Sequence, residues 1–461
     1  MKSLIPKRQA KPVDMASSRL LPNILKFSIP LMFTGMLQLL FNTADIIIVG
    51  RFAGDEALAA VGSNASLISL FTNIFIGLSV GTNVLIARLR GAEDSARLQK
   101  TVHTSILLSI LSGFLLIIIG FLSISYVLDL MQVPTKIFPL SKTYLLVYFL
   151  GMPALMLYNF GSAILRATGD TKRPLYFLLV GAILNALLDL LFVAVFHWDV
   201  AGAALATALS FYVAAFLIIR SLTKEQGDIH LDLRKLAIDT FSLLQILRIG
   251  IPSGMQGIFF ALSNVIIQSA VNGFGEIIIA GNAASNNIEN FMYIALNSFC
   301  QAATVFTSFS FGARRFDRIT PILLRCSISC VIFGSACGGL ALYFGPNLLS
   351  IYSSSDAVIA AGMVRAQILF LPYFLCGFMD ILVGSIRGMG YSLLPMFVSL
   401  CGACVLRITW VMTIFQIPQF HFIETIYWSY PISWILTAII HIICYIFILR
   451  KIKKSANTLP F

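Results

Sequence analysis

The chain has 461 residues, of which 58% are hydrophobic and only 11% are charged, and its mean hydropathy is +0.90. Soluble domains carry about 25% charged residues. This chain therefore has too little polar surface to cover a soluble globule, and we expect an integral membrane protein. The net charge of +12 does not indicate nucleic-acid binding, because the cations cluster in short segments between apolar runs.

About twelve apolar runs follow one another, and each reaches the roughly 20 residues that a spanning helix needs. The approximate ranges are 25–49, 62–87, 102–128, 140–164, 174–197, 200–220, 244–272, 278–310, 319–344, 358–385, 393–416 and 425–449. Because the bilayer core holds no water to satisfy an open strand edge, these runs predict helices. We expect an all-α polytopic membrane protein with twelve transmembrane helices.

The distribution of lysine and arginine predicts the orientation. Most of the 32 basic residues fall in the N-terminal tail, in every second loop after it, and in the C-terminal tail. The positive-inside rule then places the tails 1–23 and 451–461 in the cytoplasm. The first apolar run is too long for a signal peptide and has no small-residue cleavage site. We expect a multi-pass protein of the cell (inner or plasma) membrane.

The two halves of the chain repeat each other at an offset that stays constant to within one residue. Residues of the first half recur in the second as the pairs Pro30 and Pro252, Gly35 and Gly257, Asn42 and Asn264, Arg166 and Arg387, and Pro174 and Pro395. Each repeat holds six helices, so both copies enter the membrane from the same side, which predicts a pseudo-two-fold axis along the membrane normal. The expected organisation is an N-lobe at 24–220, a cytoplasmic linker at 221–243 and a C-lobe at 244–450. Two such lobes suit alternating access around a site near the midplane.

Polar residues inside the first lobe form two helical stripes. Gln38, Asn42 and Asp45 are spaced i, i+4 and i+7, and Asn185 and Asp189 are four apart. A central carboxylate costs roughly 2.5–3.5 kcal/mol on insertion scales, which usually marks an ion path or a paired charge. We expect no lysine or arginine deep in this lobe, so an ion pair does not account for Asp45 or Asp189. The stripes predict a shared site for a proton or sodium ion; the alternative is hydrogen bonding to neighbouring helices.

The second lobe has its own intramembrane charges. Glu289 and Asp380 fall inside apolar runs, and Asp380 occupies the repeat position of Asn159. Either acid is compatible with a functional or a structural role. Arg407 is the only cation that we expect deep in the membrane. The lone CxxC of Cys401 and Cys404 has no second cysteine pair or nearby histidines, so we interpret it as buried small side chains and predict no metal site.

Several phrases together resemble the multidrug and toxic compound extrusion (MATE) family of bacterial transporters. They are NTADIIIVGRF in the first helix, RATGDTKRP from Arg166 to Pro174, RGMG from Arg387 to Gly390, and NALLDLLF followed by VAGAALAT. The resemblance covers essentially the whole chain. It implies a secondary antiporter that exports amphipathic organic cations in exchange for H⁺ or Na⁺ by alternating access. It also implies an ion-coupling set of Asp45, Asn185, Asp189 and Thr207.

Further polar residues of the spans are candidates for substrate contact or gating. They are Gln38, Asn42, Asn159, Gln256, Asn264, Glu289 and Asp380. Some family members carry a glutamate on the helix that corresponds to the seventh apolar run, 244–272, where this chain has Gln256 and Asn264. That departure argues against a sodium site in the second lobe. No cofactor is expected, and no metal beyond a possible Na⁺ at the ion-coupling residues.

Two other functions fit the sequence less well than the antiporter. A flippase of lipid-linked oligosaccharides needs a cationic cavity to hold a pyrophosphate, whereas Arg407 would face four acids. An integral-membrane lipid transferase needs catalytic residues on sizeable loops, and no nucleophile–base set, phosphate loop or metal motif is present. We therefore predict a transporter and not an enzyme. Its expected partners are small cationic drugs and the bilayer, and nothing in the sequence demands more than a monomer.

Overall fold

A computed structural model describes residues 12–458, and every regular element in that range is a helix. The α-helices are α1 (Leu20–Phe52), α2 (Asp55–Gly91), α3 (Ser95–Leu130), α4 (Phe138–Leu150), α5 (Met152–Ala167), α6 (Lys172–Asp189), α7 (Asp199–Thr223), α8 (Thr240–Asn272), α9 (Glu276–Gly312), α10 (Ile319–Tyr343), α11 (Gly345–Ser350), α12 (Asp356–Leu369), α13 (Phe374–Gly388), α14 (Leu393–Ser399), α15 (Leu406–Met412) and α16 (Ile423–Thr458). Two π-helical segments, Leu190–Val195 and Leu400–Val405, continue α6 and join α14 to α15.

The predicted all-α polytopic architecture is confirmed, with a helix at each of the twelve apolar runs. Within the described residues, ten helical segments are long and apolar enough to cross a membrane. Counting α4 and α5, which meet at a bend of 48°, as one span gives eleven. The count of twelve is not confirmed, because α9 is too polar to qualify by composition. Asn282 and Glu289 of this helix are buried and bind Arg365 instead.

Many apolar side chains of these helices point away from the protein. On α3, Leu122 is 81% exposed, and Phe114 and Ile118 are each 55% exposed. Apolar surface on this scale marks contact with a membrane or a partner. Along a helix with mean hydropathy of 2.6 over an 18-residue window, the surroundings that fit are lipid chains.

The chain forms two compact units, and two long helices contribute to both. Of the described residues, unit 1 comprises 12–15 and Phe33–Gly254, and unit 2 comprises Ala16–Met32 and 255–458. The changeovers closely follow Pro30 inside α1 and Pro252 inside α8. Proline removes one backbone hydrogen bond from a helix, so these are the points where each helix is least constrained to continue straight.

Close helix packing holds the first part of α8 in unit 1. A Cβ atom on Gly77 of α2 would lie 2.3 Å from the backbone nitrogen of Gly254, a distance at which the two backbones would have to separate. The pairing therefore depends on glycine, as small residues allow close approach of membrane helices. In unit 2 the first part of α1 is fixed by aromatic packing, since the rings of Phe27 and Phe306 meet edge to face at 5.7 Å.

The segment between α7 and α8 is bound to unit 1. The amide of Asp232 donates to Nε2 of His103 at 3.2 Å, and the amide of Asp239 donates to Oγ1 of Thr104 at 2.9 Å. Asp239 also accepts from the amide and hydroxyl of Ser242, at 2.9 and 2.8 Å, and so caps the first turn of α8. These bonds fix the sequence-predicted linker to the beginning of α3.

Candidate functional site

Three helices of unit 1 bring the four predicted ion-coupling residues together. Asp45 lies on the second part of α1, Asn185 and Asp189 lie one turn apart at the end of α6, and Thr207 lies on α7. The amide nitrogen of Asn185 is 3.1 Å from Oδ2 of Asp189 and 3.5 Å from Oγ1 of Thr207. The Thr207 hydroxyl is in turn 3.5 Å from Oδ2 of Asp45. The i, i+4 spacing that the sequence showed therefore places Asn185 beside Asp189.

The two carboxyl groups of this cluster face each other. Asp45 and Asp189 lie within reach of a shared hydrogen bond, and Asp189 is 0% exposed. The second oxygen of each, Oδ1, is enclosed and has no hydrogen-bond partner among the described residues. Two carboxylates in contact cannot both remain ionised without a bound cation, since like charges in a low-dielectric site repel strongly. This geometry suits a cluster that holds a proton or a small cation.

The cluster forms part of the wall of a cavity of about 400 Å³ in unit 1. Asp45, Asn185 and Thr207 line it, together with Gln38 and Asn42 from the same stripe of α1. Ligand cavities in proteins span about 300–1,000 Å³ and are mostly apolar with a few convergent polar groups. Asp45 is the one charged side chain among the residues that line this cavity, so the charge of the lining is negative when Asp45 is ionised.

Aromatic side chains form another part of the cavity wall. The rings of Tyr144 and Tyr148 on α4 stack at a centroid distance of 5.8 Å and an interplanar angle of 23°. Phe211 of α7 meets Tyr148 edge to face at 6.1 Å, and Phe41 completes the aromatic lining. Sequence reasoning did not single out these residues. The i, i+4 spacing of the two tyrosines was an available signal, although most aromatic residues of such a chain pack helices or face lipid.

The remaining uncharged candidates from the sequence make other contacts. Asn159 donates to the backbone carbonyl of Leu155 at 2.9 Å, a bond within its own helix. Gln256 accepts from Arg387 at 2.6 Å inside unit 2. Asn264 is an exposed residue of α8. None of the three is among the residues that line the cavity of unit 1.

Glu289 is held in a buried ion pair. Arg365 of α12 donates from Nε and Nη2 to the two carboxylate oxygens of Glu289, at 2.6 and 2.8 Å. Its Nη1 donates to Asn282 at 2.7 Å, and Asn282 donates to Gln268 at 3.0 Å. Arg365, which the sequence analysis did not expect to be buried, is thus enclosed in the protein at 4% exposure, as Arg407 is. Its position near the beginning of an apolar run gave it the appearance of a loop residue.

Asp380 of α13 also lies within unit 2. Its backbone carbonyl accepts a hydrogen bond from the Cys300 thiol at 3.1 Å, which joins α13 to α9. Its side chain is partly buried and is not among the residues lining the cavity of unit 1. Neither Asp380 nor Glu289 is among the residues that line the cavity of unit 1.

An all-helical, multi-spanning chain with repeated halves and a polar cluster on a cavity has the architecture of a membrane transporter. Comparison with known proteins identifies which kind. The MatE family model matches the chain twice, over residues 30–191 and 252–413. The chain belongs to this family, the MATE transporters. The two matches also confirm the internal repeat that the sequence predicted.

Relatives and solved structures resemble the chain over most of its length. It is 29% identical over 405 residues to the "Probable multidrug resistance protein YoeA" of Bacillus subtilis, covering 86% of each chain. It is 24% identical over 384 residues to the "Probable multidrug resistance protein NorM" of Thermotoga maritima, covering 82% of each. A structure described as the outward-facing conformation of a multidrug resistance MATE family transporter superposes with a TM-score of 0.90. That comparison covers 97% of this chain and 100% of the other at 24% identity, and it shows a common fold.

Proposed function

We propose that this chain is a secondary antiporter that exports amphipathic organic cations in exchange for inward H⁺ or Na⁺. The observation that carries the proposal is the pair Asp45 and Asp189, two carboxyl groups in contact with no lysine or arginine on the cavity that Asp45 lines. The relatives YoeA and NorM are both named as probable multidrug resistance proteins, and these names support drugs as the exported substrates.

The coupling step follows from competition for one negative site. Either of two cations can neutralise this wall of the cavity. A proton would be shared between Asp45 and Asp189. A sodium ion would be held by the oxygens of both carboxylates, by the side-chain carbonyl of Asn185 and by the hydroxyl of Thr207. An organic cation in the cavity then loses its electrostatic partner. Binding of one cation weakens binding of the other, and by linkage the effect is reciprocal. That mutual exclusion is the requirement for exchange.

The apolar part of the cavity supports the proposed substrate class. Tyr144, Tyr148 and Phe211 offer aromatic faces and edges, and an aromatic face attracts an organic cation within about 6 Å of the ring centre. The cavity size suits a drug-sized molecule. Recognition through stacking and a single charge tolerates different shapes, so we propose that several lipophilic cations share the site. A monomer in the cell membrane with both termini in the cytoplasm completes the proposal.

Ethidium transport in proteoliposomes tests this function. Purified wild type, Asp45→Asn and Asp55→Asn are compared under an imposed proton gradient and, separately, under a sodium gradient. Asp55 begins α2 and is exposed, so its variant controls for the loss of one carboxylate. We expect wild type and Asp55→Asn to transport and Asp45→Asn to lose at least 90% of gradient-driven flux, roughly the effect of removing a 1.4 kcal/mol interaction.

The gradient that drives wild-type transport identifies the coupling ion. Full transport by a folded Asp45→Asn variant would refute the role of the carboxyl pair. Absence of ethidium transport by wild type under both gradients would count against drug export, and lipid-linked oligosaccharides would then be the substrates to test.

A further inference from the structure

Arg407 is a buried cation of unit 2 for which the described residues supply no anion. It lies in the first turn of α15 and is 4% exposed. Its Nε donates to Oγ of Ser433 at 2.7 Å. Within residues 12–458 this is the one hydrogen bond that its guanidinium makes, and no carboxylate lies within ion-pair distance. A guanidinium has five N–H donors, so most of the donors of Arg407 are left over.

Aromatic rings compensate part of this charge, but one of them is shared. The guanidinium of Arg407 lies 4.3 Å from the ring centre of Tyr430 and 5.7 Å from that of Trp434. Arg365 lies 5.4 Å from the same Tyr430 ring. One ring that faces two cations stabilises each less than it would stabilise one alone, and cation–π contacts are weaker than the penalty for burying an unpaired charge.

Arg365 shows what full compensation looks like in the same unit. All three of its guanidinium nitrogens donate, two of them to the carboxylate of Glu289 and one to Asn282. The two arginines flank one tyrosine, and both are 4% exposed. The difference between them is a carboxylate: Arg365 has one, and Arg407 has none in the described chain.

We propose that Arg407 binds a monovalent anionic group that the protein takes from its surroundings. The terminal nitrogens of a guanidinium form a fork that fits two oxygens of a carboxylate, and they also attract a halide as a point charge. The group has two possible sources, a free inorganic anion or the acid group of an organic molecule. Tyr430 and Trp434 flank the guanidinium and would pack against an organic body. This site consists of residues of unit 2 and does not depend on the transport proposal.

Anion-dependent thermal unfolding of the purified full chain tests the site. Sodium fluoride, whose small and strongly hydrated anion is slow to give up water for a buried site, is replaced stepwise by sodium chloride or by sodium acetate, at constant sodium and constant ionic strength. Constant sodium keeps any cation site in unit 1 unchanged. Wild type is compared with Arg407→Met, which keeps an unbranched side chain, and with Arg450→Met, the same change at an exposed position of α16. Arg407→Lys keeps the charge but loses the fork, and it serves if Arg407→Met does not fold.

We expect a saturable rise in Tm for wild type and Arg450→Met and none for Arg407→Met. Arg407→Lys should require about tenfold more acetate for half of the effect, as expected for the loss of one charge-assisted hydrogen bond. A response to both anions identifies a site open to free inorganic ions, and a response to acetate alone points to the acid group of an organic molecule. No anion dependence in wild type, an equal response in Arg407→Met, or unchanged acetate affinity in Arg407→Lys would each overturn the proposal.

Discussion

Replacing Glu289 by glutamine removes one partner of the buried ion pair with Arg365 and keeps the shape of the side chain. The pair is enclosed, with side-chain exposures of 5% for Arg365 and 4% for Glu289. Loss of one partner leaves the other charge buried and uncompensated, which destabilises a protein by about 3–5 kcal/mol. We expect Glu289→Gln to lower the free energy of unfolding by that amount, because Arg365 has only Asn282 and two tyrosine rings left.

The measurement is reversible denaturation in mixed micelles, followed by the circular dichroism of the helices. Glu276→Gln serves as the control, since Glu276 lies at the exposed beginning of the same helix α9. A double variant, Glu289→Gln with Arg365→Met, should recover much of the loss because it removes the uncompensated charge as well. The double-mutant cycle then isolates the energy of the pair.

Transport distinguishes a structural pair from a functional one. If the pair is structural, Glu289→Gln and the double variant should both transport ethidium in proportion to the folded fraction. A Glu289→Gln protein with wild-type stability and no transport would refute this reasoning and would make Glu289 a working residue.

Two further predictions concern unit 1. Asp189→Asn should change the pH dependence of ethidium transport, because one carboxyl can no longer share a proton with Asp45; an unchanged pH profile in a folded variant would contradict a shared site. Asp239→Ala should lower the stability of the protein by about 1 kcal/mol at pH 7, since it removes the cap of α8. The Ser242 amide and hydroxyl hold the pKa of Asp239 below its ordinary value of 3.8. That stabilisation is therefore present above pH 3.8 and is lost as the pH falls through the lower folded-state pKa. The difference between Asp239→Ala and wild type should shrink in the same range, and a difference independent of pH would contradict the cap.

Hydropathy predicted the helices of this fold well because the bilayer permits few alternatives. Each of the twelve apolar runs contains helix, including the run at 140–164, which the structure bends by 48° between α4 and α5. The bend coincides with Gly151 and with Pro153 at the beginning of α5. The sequence did not predict in the same way that α1 and α8 each contribute one part to unit 1 and another part to unit 2. This division depends on which neighbour each part of α1 and α8 contacts, and a one-dimensional pattern does not contain that information.

The candidate site was likewise predictable only in part. Helical spacing placed Gln38, Asn42 and Asp45 on one stripe, and all three line the cavity. The partnership of Glu289 and Arg365 was not predictable, because the two residues are 76 positions apart on different helices. Arg365 is not part of a polar stripe along its helix. From the sequence alone it was therefore grouped with the basic residues of loops and helix ends. Periodicity within a helix identifies a face, and only packing identifies what that face meets.

The two repeats therefore share a fold and differ in the charges they bury. Unit 1 pairs the buried Asp189 with Asp45, and no lysine or arginine is among the residues that line the cavity beside them. Unit 2 buries Arg365 and Arg407 around one tyrosine, with one carboxylate between them to balance the charge. A repeat constrains backbone packing, in which proline and glycine positions recur, but it does not constrain side-chain charge. Function is set by such side chains and not by the common fold, so each unit needs its own counter-ion test: cations for the carboxyl pair of unit 1 and anions for Arg407 of unit 2.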